Sequence, residues 1–236
     1  KVMNLKGKHV VVTGGSLGIG KATANSLIEK GAKVLVTGRS LERLHDAFEN
    51  IDCHTIAFDI GDTSKIEENA KQCLEILDGR VDVLINNAGL GERKSIEELS
   101  IDAFMKVFNV NVFGLALFTK EIVPVMKSQN GGTIMNIGST ASLKGYKTGS
   151  IYASSKFAVR CLTQCWQAEL RPYNIRVCQI NPSEVTTAFG SQDRIEREEV
   201  DNKLSSKEIA HAITSALEMD DRGFINELNV WATNPF

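Results

Sequence analysis

What most constrains this chain is a set of short, continuously apolar, β-branched runs: VVV at 10–12, VLV at 34–36 and VLI at 83–85. Longer stretches with helical periodicity separate them. A strand with one wet face alternates apolar and polar residues, whereas a strand apolar at every position has both faces covered. With helices between successive strands, the covering layers are helices and the strands run parallel. The expected fold is therefore α/β, a single doubly wound domain over residues 1–236. Strands are expected at His9 to Thr13, Lys33 to Thr37, Cys53 to Phe58, Val83 to Asn86, Gly132 to Gly138, Ile175 to Asn181 and Glu227 to Trp231. Helices are expected at Gly18 to Lys30, Leu41 to Phe48, Thr63 to Leu77, Ile101 to Gln129, Tyr152 to Arg171 and Lys207 to Glu218.

A length of 236 residues with 42% hydrophobic content suffices for one core and is short for two. The net charge is −2 and no basic block occurs, so neither nucleic acid nor an anionic membrane is an expected partner. No apolar run is read as reaching the roughly 18 residues of a spanning helix. The opening KVMNLKGKHVVV runs straight into a strand pattern without the layout of a signal peptide, and a cytoplasmic location is expected. Cys53, Cys73, Cys161, Cys165 and Cys178 are scattered in apolar stretches and read as buried small hydrophobes. His9, His45, His54 and His211 are dispersed, so structural or surface roles are expected and no metal site.

Ligands of a doubly wound sheet settle outside the carboxyl ends of its strands. The first such loop is Thr13-Gly14-Gly15-Ser16-Leu17-Gly18-Ile19-Gly20. Glycines permit a tight turn and close backbone approach to a phosphate, and the following helix offers free N–H groups and a positive dipole end. A pyrophosphate fits this description, although the spacing is GxxxGxG rather than GxGxxG. After the second strand, Gly38 and Arg39 stand where an acid would bind a ribose 2'-hydroxyl. A guanidinium suits a 2'-phosphate, which favours NADP(H) and leaves NAD(H) possible; a merely solvated Arg39 is the alternative.

Tyr152 and Lys156 lie four apart on a helix, displaced by about 40° and roughly 6 Å, so they project from one face. A neighbouring ammonium favours the phenolate, so Lys156 is expected to lower the Tyr152 pKa toward the working range of a general acid/base.

TGGSLGIG, Asn86-Asn87-Ala88-Gly89 and Tyr152-xxx-Lys156, in this order and spacing, resemble the short-chain dehydrogenase/reductase family over nearly the whole chain. The resemblance implies a Rossmann-type domain with a seven-stranded parallel sheet flanked by helices. It also selects Ser139, thirteen residues before Tyr152, as the catalytic serine; position alone leaves Thr140 and Ser142 open. Lys156 would hold the nicotinamide ribose, and Asn111 would anchor a water beside it in a proton relay. The alternative for Asn111 is an amide that ties two helices, and Asn109 is the weaker choice for the relay. Cofactor contacts are implied at Gly14, Ser16, Leu17, Gly18, Ile19 and Gly20; at Asp59 and Ile60 beside the adenine; and at Asn87, Ala88 and Gly89 beside its ribose. Asn86 would also stabilise the sheet. Pro182, Val185 and Thr187 would meet the nicotinamide carboxamide, with Ser183 replacing the family's glycine. Asp62 reads as a plain helix N-cap.

In this family the segment after the sixth strand is a lid, here about 188–204, AFGSQDRIEREEVDNKL. Leu90, Gly91, Leu143, Tyr146 and Phe189 are candidates for the pocket. The activity implied is that of an NADPH-dependent carbonyl reductase or alcohol dehydrogenase acting on a small molecule. A 3-oxoacyl thioester (acyl carrier protein) reductase is an alternative, although the closing NVWATNPF departs from that group's glycine-rich tail. An alternative of another class is a cofactor-binding regulatory protein without turnover. Apolar surface on the helices at 101–129 and 152–171, together with the resemblance, implies a homodimer or homotetramer.

Overall fold

The computed structural model describes residues 4–189 and 195–235. Its strands are β1 His9–Thr13, β2 Lys33–Gly38, β3 His54–Ala57, β4 Val83–Asn86, β5 Gly132–Ile137, β6 Ile175–Pro182 and β7 Glu227–Val230. Its α-helices are α1 Gly18–Glu29, α2 Leu41–Ala47, α3 Ile66–Ile76, α4 Ile101–Phe108, α5 Leu115–Ser128, α6 Ser150–Leu170 and α7 Ser206–Leu217. The strands form one seven-stranded sheet in the order β3-β2-β1-β4-β5-β6-β7, and every pairing is parallel.

The continuous apolar runs explain the layers. Val10 and Val12 point to one face, where they join Val34, Val36, Leu27 of α1 and Ile213 of α7. Val11 points to the other and meets Leu35, Leu84, Cys73 of α3 and Phe118 of α5. Both faces are therefore dry, as the absence of polar alternation requires. The strand order reverses between β1 and β4, which opens a crevice at their carboxyl ends.

The helix expected from Ile101 to Gln129 is three pieces, because a π-helical turn at Asn109–Gly114 separates α4 from α5. Gly114 lets this turn approach the loop after β3 closely: a Cβ at this position would stand 2.1 Å from the Ile60 carbonyl oxygen. This run also corrects the reading that no segment approaches a membrane span. Ile101–Ser128 has the length and apolarity of one, with a mean hydropathy of 1.5 over its most apolar 18 residues. Here it lies on the sheet, with Val107, Val112, Leu115, Phe118, Ile122 and Met126 buried.

Two of the five cysteines also depart from expectation. Cys73 and Cys178 are buried and Cys53 is half-buried, but Cys161 and Cys165 are exposed. The buried face of α6 runs through Ile151, Ser155, Val159 and Thr163, and these two thiols fall on the opposite side. Asp62 stands at the N-cap position of the 3-10 turn Thr63–Lys65, yet its side chain accepts from the Ser64 hydroxyl at 2.6 Å and caps no backbone N–H.

Candidate active site

Ser139, Tyr152 and Lys156 converge at the carboxyl edge of β5. Ser139 leaves the strand in extended backbone (φ −171°) and caps the 3-10 turn Thr140–Ser142, its hydroxyl accepting from the Ala141 N–H at 3.1 Å. The neighbouring hydroxyl of Ser142 is fully buried and accepts from the Ser139 N–H at 3.1 Å, so it serves the turn. Ser139 is the hydroxyl that bears on Tyr152, drawing the pKa of its phenol down.

The Lys156 ammonium is buried and donates to the Ile137 carbonyl at 2.7 Å, tying α6 to the end of β5. It lies 5.8 Å from the centroid of the Tyr152 ring. Desolvation pushes the Tyr152 phenol up to about 12, against the downward pull of the Ser139 hydroxyl. Desolvation also pulls Lys156 down to about 8. The expected lowering of the tyrosine by the lysine is thus absent, because burial outweighs a charge committed to Ile137. At neutral pH the tyrosine holds its proton and the lysine is mostly charged, an arrangement suited to proton donation.

Asn111 sits fully buried in the π-helical turn. Its side chain accepts from the Leu90 N–H at 2.7 Å and donates to the Leu90 carbonyl at 2.9 Å and to the Ser155 hydroxyl at 3.0 Å. It therefore joins the loop after β4 to α6, one residue from Lys156. Asn109 is half-buried at the start of the same turn.

On the other side of the crevice the glycine loop is shaped by close approach. A Cβ at Gly14 (φ +66°) would lie 2.6 Å from Ala88 Cα, and one at Gly20 would lie 2.4 Å from the Asn87 amide nitrogen. The N-cap of α1 is Leu17, which offers no capping side chain, and the first turn holds no acid. The first N–H of the helix, that of Gly18, donates to the carboxylate of Glu196 from the segment after β6, an anion at the positive end of the helix dipole. Ser16 and Ile19 flank this point half-buried. Thr13, not anticipated as a site residue, accepts from the N–H groups of Asn87 and Ala88, each at 3.1 Å. Asn87 returns donors to the carbonyls of Thr13 and Gly14 at 3.0 and 2.8 Å.

The remaining expected contacts border the same crevice. Arg39 is exposed at the end of β2, just before Ser40 caps α2. Asp59 accepts from the Gly61 N–H at 2.8 Å, and Ile60 is buried against the π-helical turn. Gly89 lies beside Asn111. After Pro182 ends β6, Val185 bridges Leu204. Thr187 reaches over the glycine loop, where a Cβ at Gly18 would stand 3.3 Å from it. Ser183 keeps negative φ and donates its N–H to the Val230 carbonyl at 2.8 Å, so the missing glycine leaves the backbone path intact.

The lid expected at 188–204 falls partly outside the described residues. Phe189 packs on Tyr152 with ring centroids 5.7 Å apart and also meets Gly91. Residues 195–200 carry no regular secondary structure. Leu90 and Leu143 are half-buried, and the exposed Tyr146 lies under Arg93, 5.8 Å from its ring. Among the described residues no metal-ligating cluster occurs.

Residues 8–198 match the family model described as short chain dehydrogenase. The chain belongs to the short-chain dehydrogenase family. This dehydrogenase is 37% identical to an uncharacterised oxidoreductase of Thermotoga maritima over 94% of each chain. It is 34% identical to the 3-ketodihydrosphingosine reductase of Mus musculus, over 79% of its own length and 59% of that protein's. It also resembles the solved alcohol dehydrogenase of the archaeon Thermococcus sibiricus complexed with 5-hydroxy-NADP. That similarity has a TM-score of 0.88 at 29% identity and covers 97% of each chain. As a short-chain dehydrogenase the protein is an oxidoreductase, with a crevice whose glycine cradle and helix N-terminus fit a dinucleotide.

Proposed function

We propose that this short-chain dehydrogenase is an NADP(H)-dependent carbonyl reductase and alcohol dehydrogenase. The observation that carries the reading is the meeting of Ser139, Tyr152 and Lys156 at the edge of the crevice that the glycine loop also borders. When bound, the nicotinamide would supply or accept the hydride. Ser139 orients the substrate oxygen and stabilises charge developing on it. Tyr152, kept neutral by burial, donates the proton in reduction and takes it back in oxidation. Lys156 grips the ribose, and Asn111 serves a water-linked proton path beside it. Gly14, Ser16, Leu17, Gly18, Ile19 and Gly20 cradle the pyrophosphate. Asp59, Ile60, Asn87, Ala88 and Gly89 line the adenosine side, and Pro182, Val185 and Thr187 meet the carboxamide.

Arg39 favours the 2'-phosphate of NADP(H), and the NADP-analogue complex of the Thermococcus sibiricus protein supports that choice. The apolar flank of Leu90, Leu143 and Phe189 suits a carbonyl with a hydrocarbon neighbour. The protein acts as one domain with its lid over residues 188–204, in the cytoplasm and without membrane or nucleic-acid partners. Exposed Ile101, Met105, Phe113, Leu117 and Phe157 on one side of α4 to α6 form a seam for a homodimer or homotetramer.

A panel of ketones, diketones and 3-oxoacyl thioesters incubated with NADPH or NADH tests the reading. Consumption of a carbonyl, faster with NADPH, is expected. Cofactor binding without turnover across the panel would leave a regulatory role in its place, and tighter NADH than NADPH would reject the role given to Arg39.

A further inference from the structure

A buried polar row reaches from this site to the edge of the sheet. Asn86, Asn136, Gln179 and Glu227 stand in register on the adjacent strands β4 to β7. The Asn86 amide donates to Asn136 at 2.9 Å, Asn136 donates to the Thr163 hydroxyl of α6 at 2.8 Å, and that hydroxyl lies 3.0 Å from Gln179 Oε1. Gln179 then donates to Asn181 Oδ1 at 2.7 Å, and Asn181 donates to Glu227 at 2.7 Å and Asn229 at 2.9 Å. Asn86, Asn136, Gln179 and Asn181 are at most 2% exposed, so their amides are costly to leave unpaired; Asn86 Oδ1 is the one atom of these that has no partner.

Two arms of this row end on the elements that carry the reacting hydroxyls. Asn181 Oδ1 accepts from the Ser139 N–H at 3.3 Å. The approach requires glycine at 138, since a Cβ there would stand 2.2 Å from that oxygen. Glu227 receives Arg160 of α6, whose Nε lies 2.9 Å from one carboxylate oxygen and whose Nη2 lies 3.0 Å from the other. Arg160 follows Tyr152 and Lys156 at successive four-residue steps, so all three project along one side of α6.

We propose that Glu227 is a positioning residue for the carbonyl chemistry: through Asn181 it holds the Ser139 backbone, through Arg160 it holds α6, and so it sets the separation between Ser139 and Tyr152. This rests on the function proposed above. The half-buried ion pair divides the carboxylate: Arg160 donates through Nε and Nη2 to one oxygen, at 3.2 and 3.0 Å, while Asn181 donates to the other, so the two arms meet on one rigid group.

The test compares Glu227→Ala, Glu227→Gln and Arg160→Met in the full chain with NADPH. Glu227→Ala should lower kcat for the carbonyl by about 10²-fold, as misplacement of a reacting group does, with the Kd for NADPH little changed. Glu227→Gln keeps an acceptor for Asn181 and should recover most of kcat, whereas Arg160→Met should fall between them. In a Ser139→Ala background, Glu227→Ala should add only about twofold, because the serine it positions is gone. An equal loss in both backgrounds, or no loss in either, overturns the proposal.

Hydrogen exchange supplies a readout independent of turnover. Amides at 137–143 and 150–158 should exchange faster in Glu227→Ala while those of β1 are unchanged, and unaltered exchange at 137–143 overturns the anchoring. Should the alanine variant not fold, Glu227→Gln and Arg160→Met carry the same comparison. Absence of wild-type turnover would refute the proposed function, and exchange would then decide the positioning role alone.

Discussion

β1 and β2 present Val10 to Val12 and Val34 to Val36 to helices on both faces, whereas β5 and β6 bury Asn136, Gln179 and Asn181 among their apolar neighbours. The first region carries the glycine loop and places backbone: its constraints are the absence of Cβ atoms at Gly14 and Gly20 and the N-terminus of α1. The second region carries Ser139, Tyr152 and Lys156 and places side chains, so it is braced by directional bonds in a dry interior. Apolar packing tolerates exchange of similar volumes, while a half-satisfied polar row is worse than none. A cofactor whose backbone contacts are generic needs only shape, whereas proton transfer needs angular precision.

Four experiments test this contrast. The largest effect is expected of Tyr152→Phe, which should lower kcat by about 10³-fold in an NADPH oxidation assay while leaving cofactor affinity near wild type. Unchanged turnover would move the proton donor elsewhere. Next, Gly20→Ala drives a Cβ to 2.4 Å from the Asn87 amide and 2.6 Å from the Gly14 carbonyl. It should weaken NADPH by about a hundredfold, some 3 kcal/mol, in a fluorescence titration. If affinity survives, the loop is less tightly packed than the contrast requires.

The third concerns pH. Burial lowers Lys156 from 10.5 to about 8, so between those values the unfolded chain holds more protons than the folded one. Lys156 by itself therefore makes stability rise with pH through that window, by at most about 3 kcal/mol, while the thiols of Cys53, Cys73 and Cys178, pushed up by burial to about 12, make it fall above pH 9. Above pH 10 the raised Tyr152 acts oppositely, since the unfolded phenol ionises first. Lys156→Met should remove the lysine's contribution, so the denaturant midpoint of the wild type should gain on that of the variant from pH 8 to 10. A difference that does not change with pH would reject the lowered Lys156. The smallest effect is expected of Glu196→Ala. Its carboxylate takes the Gly18 N–H that a phosphate oxygen would use, so its removal should tighten NADPH by about threefold at low salt. Weaker binding would show that Glu196 assists the cofactor.

Much of the site was readable because the relevant distances are local. Tyr152 and Lys156 share one helix, and the glycine loop is one turn. The π-helical turn was not readable: the weak helix formers of Asn109–Gly114 do not specify it, and the close approach of Gly114 to the Ile60 carbonyl involves a loop distant in sequence. The partner of Lys156 was equally hidden: its bond to Ile137 arises from packing α6 on β5, and so does the burial of Tyr152 that raises the phenol instead of lowering it. Gln179 and Asn181 did leave a signal, two amides in the buried strand IRVCQINP, but their connection to Ser139 and Glu227 did not.

Periodicity and short spacings act within one element, so they were enough to give the class of sheet and its crevice and to mark the candidate site residues. Tertiary structure decided which charges are desolvated, which thiols face water and which amides link Ser139 to Glu227. Burial and hydrogen-bond direction depend on what lies across the sheet, and residues far apart in the chain meet there only when the strands are in register.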